Sequence, residues 1–346
     1  PEEIFGHYTG AADSVFRVAA LSQAGSYAAS DIVGAAYGMA EYQLSDRIRI
    51  VGGARLEMQR LNIDAQPAFG SAEVAKPVYY DALPSLAMNV ELTGRQALRI
   101  SASQTLARPE YREVVPIASR DVLGGEQFRG NISLRRTLIQ NADARWEFYP
   151  SSGEVVSVAV FAKHFDKPIE RVYRGTSGTR VTTFENARSA LNLGTELEVR
   201  KSLDFVELLS AWTVFSNFTV MRSSIDIGTV GAGSVQAERA MVGQAPYVIN
   251  TGLTYSPGAG ALASTVQYNT VGRRIYAASL LPLPNVFEEA RHVADVSVRF
   301  PLFGGMRGKM DAKNLLDAPY EVTQGGVQRE FYRAGRSFSF GASLGT

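Results

Sequence analysis

The sequence has 346 residues, of which 35 are Lys or Arg and 34 are Asp or Glu, giving a formal net charge of +1. A balance this close argues against a nucleic-acid-binding protein, because such proteins usually carry a basic excess on one face. The absence of Cys excludes disulfides, Cys-ligated zinc, iron–sulfur clusters and thiol catalysis. With only three His in the sequence, we expect neither a His-based metal site nor a cofactor.

Polar and apolar residues alternate along much of the chain, and residues 47–59 give the first clear example. Ile48, Ile50, Leu56 and Met58 fall on one face, and the charged residues of the segment fall on the other. A helix would scatter these charges around its surface, whereas a strand separates them from the apolar residues. No apolar run approaches the ~18–20 residues of a membrane-spanning helix, but a transmembrane β-barrel carries its membrane segments as such alternation.

The same alternation continues to the end of the chain and predicts about thirteen strands. Many of them contain ~15 residues or more, whereas strands of soluble proteins usually contain about 5–6. Long strands with one continuous apolar face predict a β-barrel. The strands are predicted near residues 29–44, 46–60, 79–94, 96–108, 131–149, 154–173, 184–201, 206–224, 243–256, 260–274, 287–302, 305–323 and 329–345.

The connections between these strands alternate in length. Short turns at one end and long loops at the other are typical of bacterial outer-membrane barrels, and a soluble all-β sandwich has no reason to sort its loops in this way. The short turns, rich in Gly, Pro and Asp, lie near residues 45–46, 93–95, 150–153, 202–204, 256–260 and 303–305. Long loops are predicted near residues 61–78, 109–130, 225–242 and 275–286, and shorter ones at 174–183 and 324–328.

Six segments resemble, in the same order along the chain, the C-terminal part of TonB-dependent outer-membrane transporters. Residues 103–113, SQTLARPEYRE, are similar to the family pattern S-x-T-L-x-R-P-x-F-x-E, which ends a strand and enters a loop. Residues 313–320, KNLLDAPY, match its pattern K-N-L-F-D-x-x-Y. The other similar segments are residues 36–57, 161–170, 243–253 and 335–341.

The resemblance implies a 22-stranded barrel around a plug, of which this chain holds about thirteen C-terminal strands. Single-chain bacterial barrels have an even number of strands, so an odd count favours a fragment. We therefore expect residues 1–346 to be one incomplete domain, with the plug and the first strands upstream of Pro1. One departure is the end of the chain, Leu344-Gly345-Thr346, where the family usually has an aromatic residue that the assembly machinery recognises.

Charged residues recur on the polar faces of the strands, and 6 of the basic residues are Lys, which leaves 29 Arg. Guanidinium groups hold carboxylates in bidentate pairs across a crowded interior better than ammonium groups do. These side chains either contact the plug and line the substrate path, or only solvate the lumen and pair with one another. The lumen- or plug-facing candidates are Arg47, Arg49, Arg55, Glu57, Arg99, Arg145, Glu147, Glu196, Glu198, Arg200, Arg307 and Asp311.

The long loops are the expected substrate surface, and aromatic residues cluster at their bases. They either stack on a substrate or belong to the aromatic girdle at the membrane interface, which is a general feature of outer-membrane barrels. The substrate-binding candidates are Tyr79, Tyr80, Tyr111, Phe165, Tyr173 and Tyr276. No Walker A, Rossmann or H-E-x-x-H pattern occurs. His164 and His292 are predicted to be ordinary residues at strand ends.

The resemblance implies an active transporter of the bacterial outer membrane that captures a scarce substrate in its loops and imports it with TonB-coupled energy. The implied partners are outer-membrane lipid, the plug and missing strands, the inner-membrane TonB complex, a small-molecule, glycan or peptide substrate, and a surface lipoprotein. A passive porin and an outer-membrane barrel enzyme are the alternatives. A plug domain upstream would favour a transporter over a passive porin. A Ser/His or Asp/His pair at the barrel mouth would indicate a barrel enzyme.

Overall fold

The structure is a computed structural model, and it describes residues 25–67, 70–120, 127–176, 179–228, 239–258, 261–279 and 281–344. Almost all of these residues lie in strands, and helix is limited to single turns. In chain order the elements are β1 (Ser26–Ser45), β2 (Ile48–Gln66), β3 (Glu73–Ala75), β4 (Val78–Thr93), β5 (Gln96–Ala107), α1 (Tyr111–Val114), β6 (Ala118–Arg120), β7 (Gln127–Arg129), β8 (Thr137–Phe148), β9 (Val155–Asp166), β10 (Ile169–Thr176), β11 (Thr179–Asn186), β12 (Ser189–Ser202), β13 (Trp212–Asp226), β14 (Tyr247–Tyr255), β15 (Ala263–Val271), β16 (Arg274–Ser279), β17 (Val286–Glu288), β18 (Arg291–Pro301), β19 (Met306–Lys313), β20 (Pro319–Gln324), β21 (Val327–Arg333) and β22 (Ser337–Leu344). Two 3-10 turns, Glu207–Leu209 and Phe303–Gly305, lie in short connections.

Thirteen strands form one antiparallel sheet, which we call the main sheet. Its order is β1-β2-β4-β5-β8-β9-β12-β13-β14-β15-β18-β19-β22, and β3 pairs with β2 beside this path. The order follows the chain, so the sheet is an up-and-down meander whose short turns all lie at one end. Each of the thirteen predicted strands overlaps one strand of the main sheet, which confirms the predicted all-β antiparallel architecture.

Five predicted strands each extend by two or more residues into a second strand of the structure, because the chain bends where they were expected to continue. Lys167 has a φ of 54° and separates β9 from β10, although residues 154–173 were predicted as one strand. Asn314 and Asp317, with φ of 54° and 49°, separate β19 from β20 in the same way. A positive φ lies outside the extended region, so a strand ends at such a residue. The other three are the predicted strands 184–201, 287–302 and 329–345, which divide into β11 with β12, β17 with β18, and β21 with β22.

The outer connections of the main sheet join into a second sheet, which we call the loop sheet. Its eight strands have the order β21-β20-β17-β16-β10-β11-β7-β6 and come from four separate connections. Two parallel pairings, β10 with β16 and β11 with β7, link hairpins that are distant along the chain. The predicted loops at 61–78, 109–130 and 275–286 therefore contain strands, and most of the predicted loop at 225–242 lies outside the described residues.

Buried apolar residues concentrate in and beside the loop sheet. One cluster includes Tyr173, Val286 and Val322, and two further clusters pack near Val172 and near Ile63. The main sheet instead exposes large apolar side chains along one face, where lipid rather than a protein core would cover them. Among the described residues, no helix has the length and apolar character needed to cross a membrane.

Candidate functional site

Strand register sorts the side chains of the main sheet onto two faces. One row of paired residues is entirely apolar and consists of Ile48, Val90, Leu98, Trp146, Val158, Leu197 and Phe218. The adjacent row on the other face begins with Arg49, Asn89, Arg99 and Arg145. Because side chains alternate along a strand, eleven of the twelve lumen candidates share this polar face. Arg47 lies in the turn between β1 and β2.

Glu147 is the centre of an ion-pair network on the polar face. Its side chain is 8% exposed and accepts hydrogen bonds from Arg99 Nε at 2.9 Å, Arg145 Nε at 3.0 Å and the Tyr149 hydroxyl at 2.9 Å. Arg145 also pairs with Glu198, which lies two strands away on β12. Four predicted residues therefore meet in one network that ties β5, β8 and β12 together.

A second network joins the outer half of β1 and β2 to the end of β5. Arg108 pairs with Glu57, and its Nε donates to Gln59 Oε1 at 2.9 Å. Arg55 donates to the same carboxylate at 2.6 Å, and the Gln59 amide donates to Asp31 at 3.0 Å. The alternation pattern did not identify Arg108, although it is the Arg of the SQTLARPE segment, because it lies one residue beyond β5.

Arg136 and Asp81 form a third pair that sequence reasoning missed. The Asp81 side chain is 2% exposed, and Arg136 Nε lies 2.6 Å and 2.7 Å from its two oxygens. The Arg136 guanidinium also lies 4.4 Å from the centre of the Tyr79 ring. Tyr79, a substrate-binding candidate, is thus engaged in a cation–π contact on the polar face.

The other lumen candidates are less constrained. Arg49 lies 3.4 Å from Glu41, and Asp311 lies 2.9 Å from Lys309. Within the part of the chain that the structure describes, the exposed side chains of Glu196, Arg200 and Arg307 form no ion pair. The structure thus places these residues on the polar face without assigning them a partner, and their contact with a plug stays a prediction.

The aromatic candidates separate into two kinds of environment. Tyr80 pairs with Met58 on the apolar face and is 76% exposed, and Tyr111 is half-exposed in α1. Their roles in substrate binding or in a girdle stay predictions. The other three rings pack within or beside the loop sheet. Tyr173 is buried and its hydroxyl accepts a hydrogen bond from Arg329 at 3.1 Å. The remaining two are Phe165 and Tyr276, each packed against a buried cluster.

Arginine side chains stack on aromatic rings across the loop sheet. The guanidiniums of Arg112 and Arg171 lie 4.3 Å and 4.7 Å from the centre of the Phe128 ring, and Arg171 lies 4.2 Å from that of Tyr276. A guanidinium that stacks on a ring directs its N–H groups along its own plane, so stacking and hydrogen bonding can occur together. Such a surface can bind a ligand by stacking on its rings and guanidinium groups.

The two His residues in the described part of the chain project from the face opposite to the ion-pair networks. His164 pairs in register with Gln140 and Leu191, and His292 pairs with Thr270, all on the apolar-face side of their strands. His292 contacts the Tyr268 hydroxyl at 2.6 Å. The described residues also contain no group of three or more His, Asp or Glu placed to bind a metal. His7 lies outside the described residues.

At the end of the sheet with the short turns, Glu154 anchors the turn between β8 and β9. Its buried carboxylate accepts hydrogen bonds from Lys201 Nζ at 2.6 Å and from the Ser202 backbone N–H at 3.0 Å. The hydrogen bond from Lys201 holds the pKa of Glu154 below its ordinary value. This contact fastens the turn to the end of β12.

Long antiparallel strands with one apolar and one polar face, short turns at one end and merged loops at the other define the wall of an outer-membrane β-barrel. A model of the TonB dependent receptor-like, beta-barrel family matches residues 5–315. The chain therefore belongs to this family, whose members are bacterial outer-membrane proteins. No curated protein is similar enough in sequence to count as a match.

Solved structures of outer-membrane receptors share this fold. The ferric yersiniabactin uptake receptor FyuA from Yersinia pestis is 16% identical, with a TM-score of 0.63 over 91% of this chain and 46% of its own. The copper transporter OprC is 16% identical, with a TM-score of 0.65 over 91% and 49%. A mutant of the ferric enterobactin receptor PfeA from Pseudomonas aeruginosa, in complex with enterobactin, is 15% identical, with a TM-score of 0.57 over 91% of this chain and 54% of its own. The chain thus spans about half the length of these structures.

Proposed function

We propose that this chain is part of an outer-membrane active transporter that binds a scarce substrate in its extracellular loops and imports it with TonB-coupled energy. The observation that carries this proposal is the loop sheet, in which four outer connections are hydrogen-bonded into one sheet. A passive pore has no need of a rigid binding surface, whereas a receptor gains affinity when its binding groups are ordered in advance.

The similar structures support transport without identifying the substrate. They are receptors or transporters for ferric yersiniabactin, ferric enterobactin and copper, and each shares only 15–16% of its sequence with this chain. We therefore propose a small-molecule, glycan or peptide substrate, and no covalent chemistry. A surface lipoprotein that covers the loops is a further proposed partner.

We also propose that residues 1–346 form the C-terminal portion of a single barrel domain. The six family-like segments and the half-length match to the solved structures support this assignment. The polar face with its Glu57 and Glu147 networks would then contact a plug, and the plug would connect to the inner-membrane TonB complex. In this arrangement the chain contributes the barrel wall and the specificity, while energy coupling resides in the plug.

Uptake in a deletion strain tests the proposal. Cells lacking the gene are supplied with candidate nutrients, and growth is compared with cells that express the protein, each with and without a functional TonB complex. A nutrient that rescues growth only when both the protein and TonB are present supports active transport. Rescue that is independent of TonB would contradict it and favour a passive porin, and an associated hydrolase activity would favour a barrel enzyme.

A further inference from the structure

The polar face of the main sheet carries no charge across β13, β14 and β15. It consists there of every second residue of β13 from Thr213, of β14 from Val248 and of β15 from Ala263, and we call this surface the neutral stripe. The structure describes all residues of these three strands, and none on this face is Arg, Lys, His, Asp or Glu. The strands on either side, β12 and β18, carry Glu198 and Asp295 on the same face. The neutral stripe is therefore a gap in a charged wall.

A row of three asparagines crosses the neutral stripe. Glu147 and Glu198 belong to one row of paired residues on the polar face. The row continues as Asn217, Asn250 and Asn269. The Asn269 amide donates to the Asn250 side-chain oxygen, and Asn217 and Asn250 are exposed. An amide both donates and accepts, as a hydroxyl does, and such a hydrogen bond contributes only about 0.5–1.5 kcal/mol after exchange with water. This row can therefore bind a hydroxyl-bearing molecule weakly.

An aromatic ring lies flat against the wall beside the asparagines. Phe215 pairs in register with Gly252, and a Cβ at Gly252 would collide with the Phe215 ring. The ring thus lies over the backbone of β14, which only glycine permits at this position. It covers the wall instead of projecting into the lumen. The apolar face of such a ring suits the C–H groups of a sugar ring.

The neutral stripe runs from the outer connections to the short turns. Near its outer end, Ser223 donates a hydrogen bond to Gln244, which precedes β14. At the other end, Thr213 pairs in register with Thr254. Adjacent strands lie about 4.8 Å apart, so β14 is about 10 Å from β12 and from β18, about one Debye length at physiological salt. A charged solute on β14 would lose water without gaining a counter-charge, whereas an uncharged solute has no such cost.

We propose that the transported substrate passes along the neutral stripe, and that this substrate is an uncharged, hydroxyl-rich molecule, an oligosaccharide. The inference rests on the proposed TonB-coupled transport and adds a path and a substrate class to it. The Glu57 and Glu147 networks, on β2 to β12, hold the plug, and the plug withdraws from the neutral stripe when energy is supplied. Weak hydrogen bonds repeated along a wall let a molecule enter and also leave.

Growth of a deletion strain that expresses the full-length protein tests the substrate class. Neutral oligosaccharides of glucose, xylose and N-acetylglucosamine, ferric catecholate chelates and short peptides are each supplied as the limiting nutrient, with and without a functional TonB complex. We expect TonB-dependent rescue by a neutral oligosaccharide. TonB-dependent rescue by a chelate or a peptide alone would overturn the inference and leave active transport standing, whereas rescue without TonB would overturn both.

Asn250→Asp tests the path, because it adds one charge to the centre of the neutral stripe with almost no change in shape. Uptake of the radiolabelled rescuing oligosaccharide is measured against its concentration. We expect the maximal rate to fall about tenfold while the half-saturating concentration stays unchanged, since capture occurs in the outer connections. Asn250→Ser, which stays neutral, should lose much less. An unchanged maximal rate in Asn250→Asp would overturn the inference.

Ser85→Asp is the matched control, because it adds the same charge to the polar face of β4, where Ser85 is exposed outside the neutral stripe. Its uptake should stay within about twofold of wild type. Sensitivity to vancomycin, which would rise if the plug were displaced, should match wild type in all variants. Equal losses in Asn250→Asp and Ser85→Asp would overturn the inference. Increased vancomycin sensitivity in Asn250→Asp alone would do so as well, because the neutral stripe would then only hold the plug.

Discussion

At the scale of single residues, Glu147 explains why the polar face favours Arg over Lys. One nearly buried carboxylate accepts hydrogen bonds from Arg99 and Arg145, and Arg145 reaches past β9 to Glu198 on β12. A guanidinium has five N–H donors in a planar fork and can serve two acceptors at once. The shorter reach and point charge of an ammonium group would not span this distance with the same geometry.

We expect Glu147→Gln to destabilise the protein by about 2 kcal/mol, because two arginines lose their shared charged acceptor while remaining partly accessible to solvent. Urea unfolding of the purified protein measures the change. Glu196→Gln is the control, since Glu196 lies exposed on the same face with no ion pair among the described residues. Its effect should stay within about 0.5 kcal/mol, and equal effects of the two variants would contradict the network.

Glu154 predicts a pH dependence of stability. Lys201 keeps the pKa of Glu154 below 4.5, its ordinary value, in the folded protein. A carboxylate with a depressed folded-state pKa contributes stability above its unfolded pKa, and the contribution is lost as the pH falls through the folded pKa. The urea midpoint of wild type should therefore fall between about pH 5 and pH 3, and less steeply in Glu154→Gln.

Glu207→Gln serves as the control for this pH series. Glu207 is exposed in the 3-10 turn between β12 and β13, at the same end of the sheet. Its pH profile should match that of wild type. Identical profiles for wild type and Glu154→Gln would show that the contact with Lys201 does not stabilise the folded state.

The alternation of residue types predicted which face each charge occupies, but not its partners. Arg145 and Glu198 lie on one face by periodicity alone, whereas their contact depends on the register of three strands. Arg108 and Arg136 lie just outside β5 and β8, where the two-residue period no longer specifies a direction. The alternation of residue types therefore could not predict that Arg108 and Arg136 complete the networks.

At the scale of elements, the main-sheet strands were predictable because lipid and lumen impose opposite demands on alternate residues. In such a strand the two-residue alternation of polar and apolar residues continues over ten or more positions, which makes it recognisable in the sequence. The loop-sheet strands contain three to eight residues, and several pair with segments distant in the chain, as Val172 does with Ala278. A short strand whose partner is remote in the chain leaves no local periodic signal, so the alternation pattern did not predict the loop sheet.

We expect Leu86→Arg to lower the free energy of unfolding by about 2–4 kcal/mol, because Leu86 projects from the apolar face near the middle of the membrane. Unfolding in lipid vesicles measures the change. Ser85→Arg is the control, since Ser85 is the residue before Leu86 and its exposed side chain projects from the polar face. A loss from Ser85→Arg equal to that from Leu86→Arg would show that the two faces are assigned incorrectly.

At the scale of the whole molecule, two sheets are stabilised by different surroundings. The main sheet depends on lipid against its apolar face, while the loop sheet has a buried core of its own around Tyr173, Ala277, Val286 and Val322. That core joins strands of three outer connections, and the Arg329 contact with Tyr173 adds a hydrogen bond between two of them. The outer surface should therefore lose its structure independently of the membrane wall.

We expect Val286→Asp to unfold the loop sheet and leave the main sheet intact, because Val286 is 1% exposed and a carboxylate there has no partner. Limited proteolysis of intact cells would show new cleavage in the outer connections, while the strands of the main sheet remain protected. Val327→Asp is the control, since Val327 is 64% exposed on β21. Loss of the whole protein from the membrane would contradict independent sheets.

The parallel pairings of β10 with β16 and of β11 with β7 also constrain how this protein can diversify. An insertion of one residue into any of these hairpins shifts its register and turns every following side chain to the opposite face. The neighbouring hairpins, which share its hydrogen bonds, would lose their contacts with it. The outer connections are therefore not exchangeable modules: a new specificity has to arise by substituting side chains on a surface of fixed length.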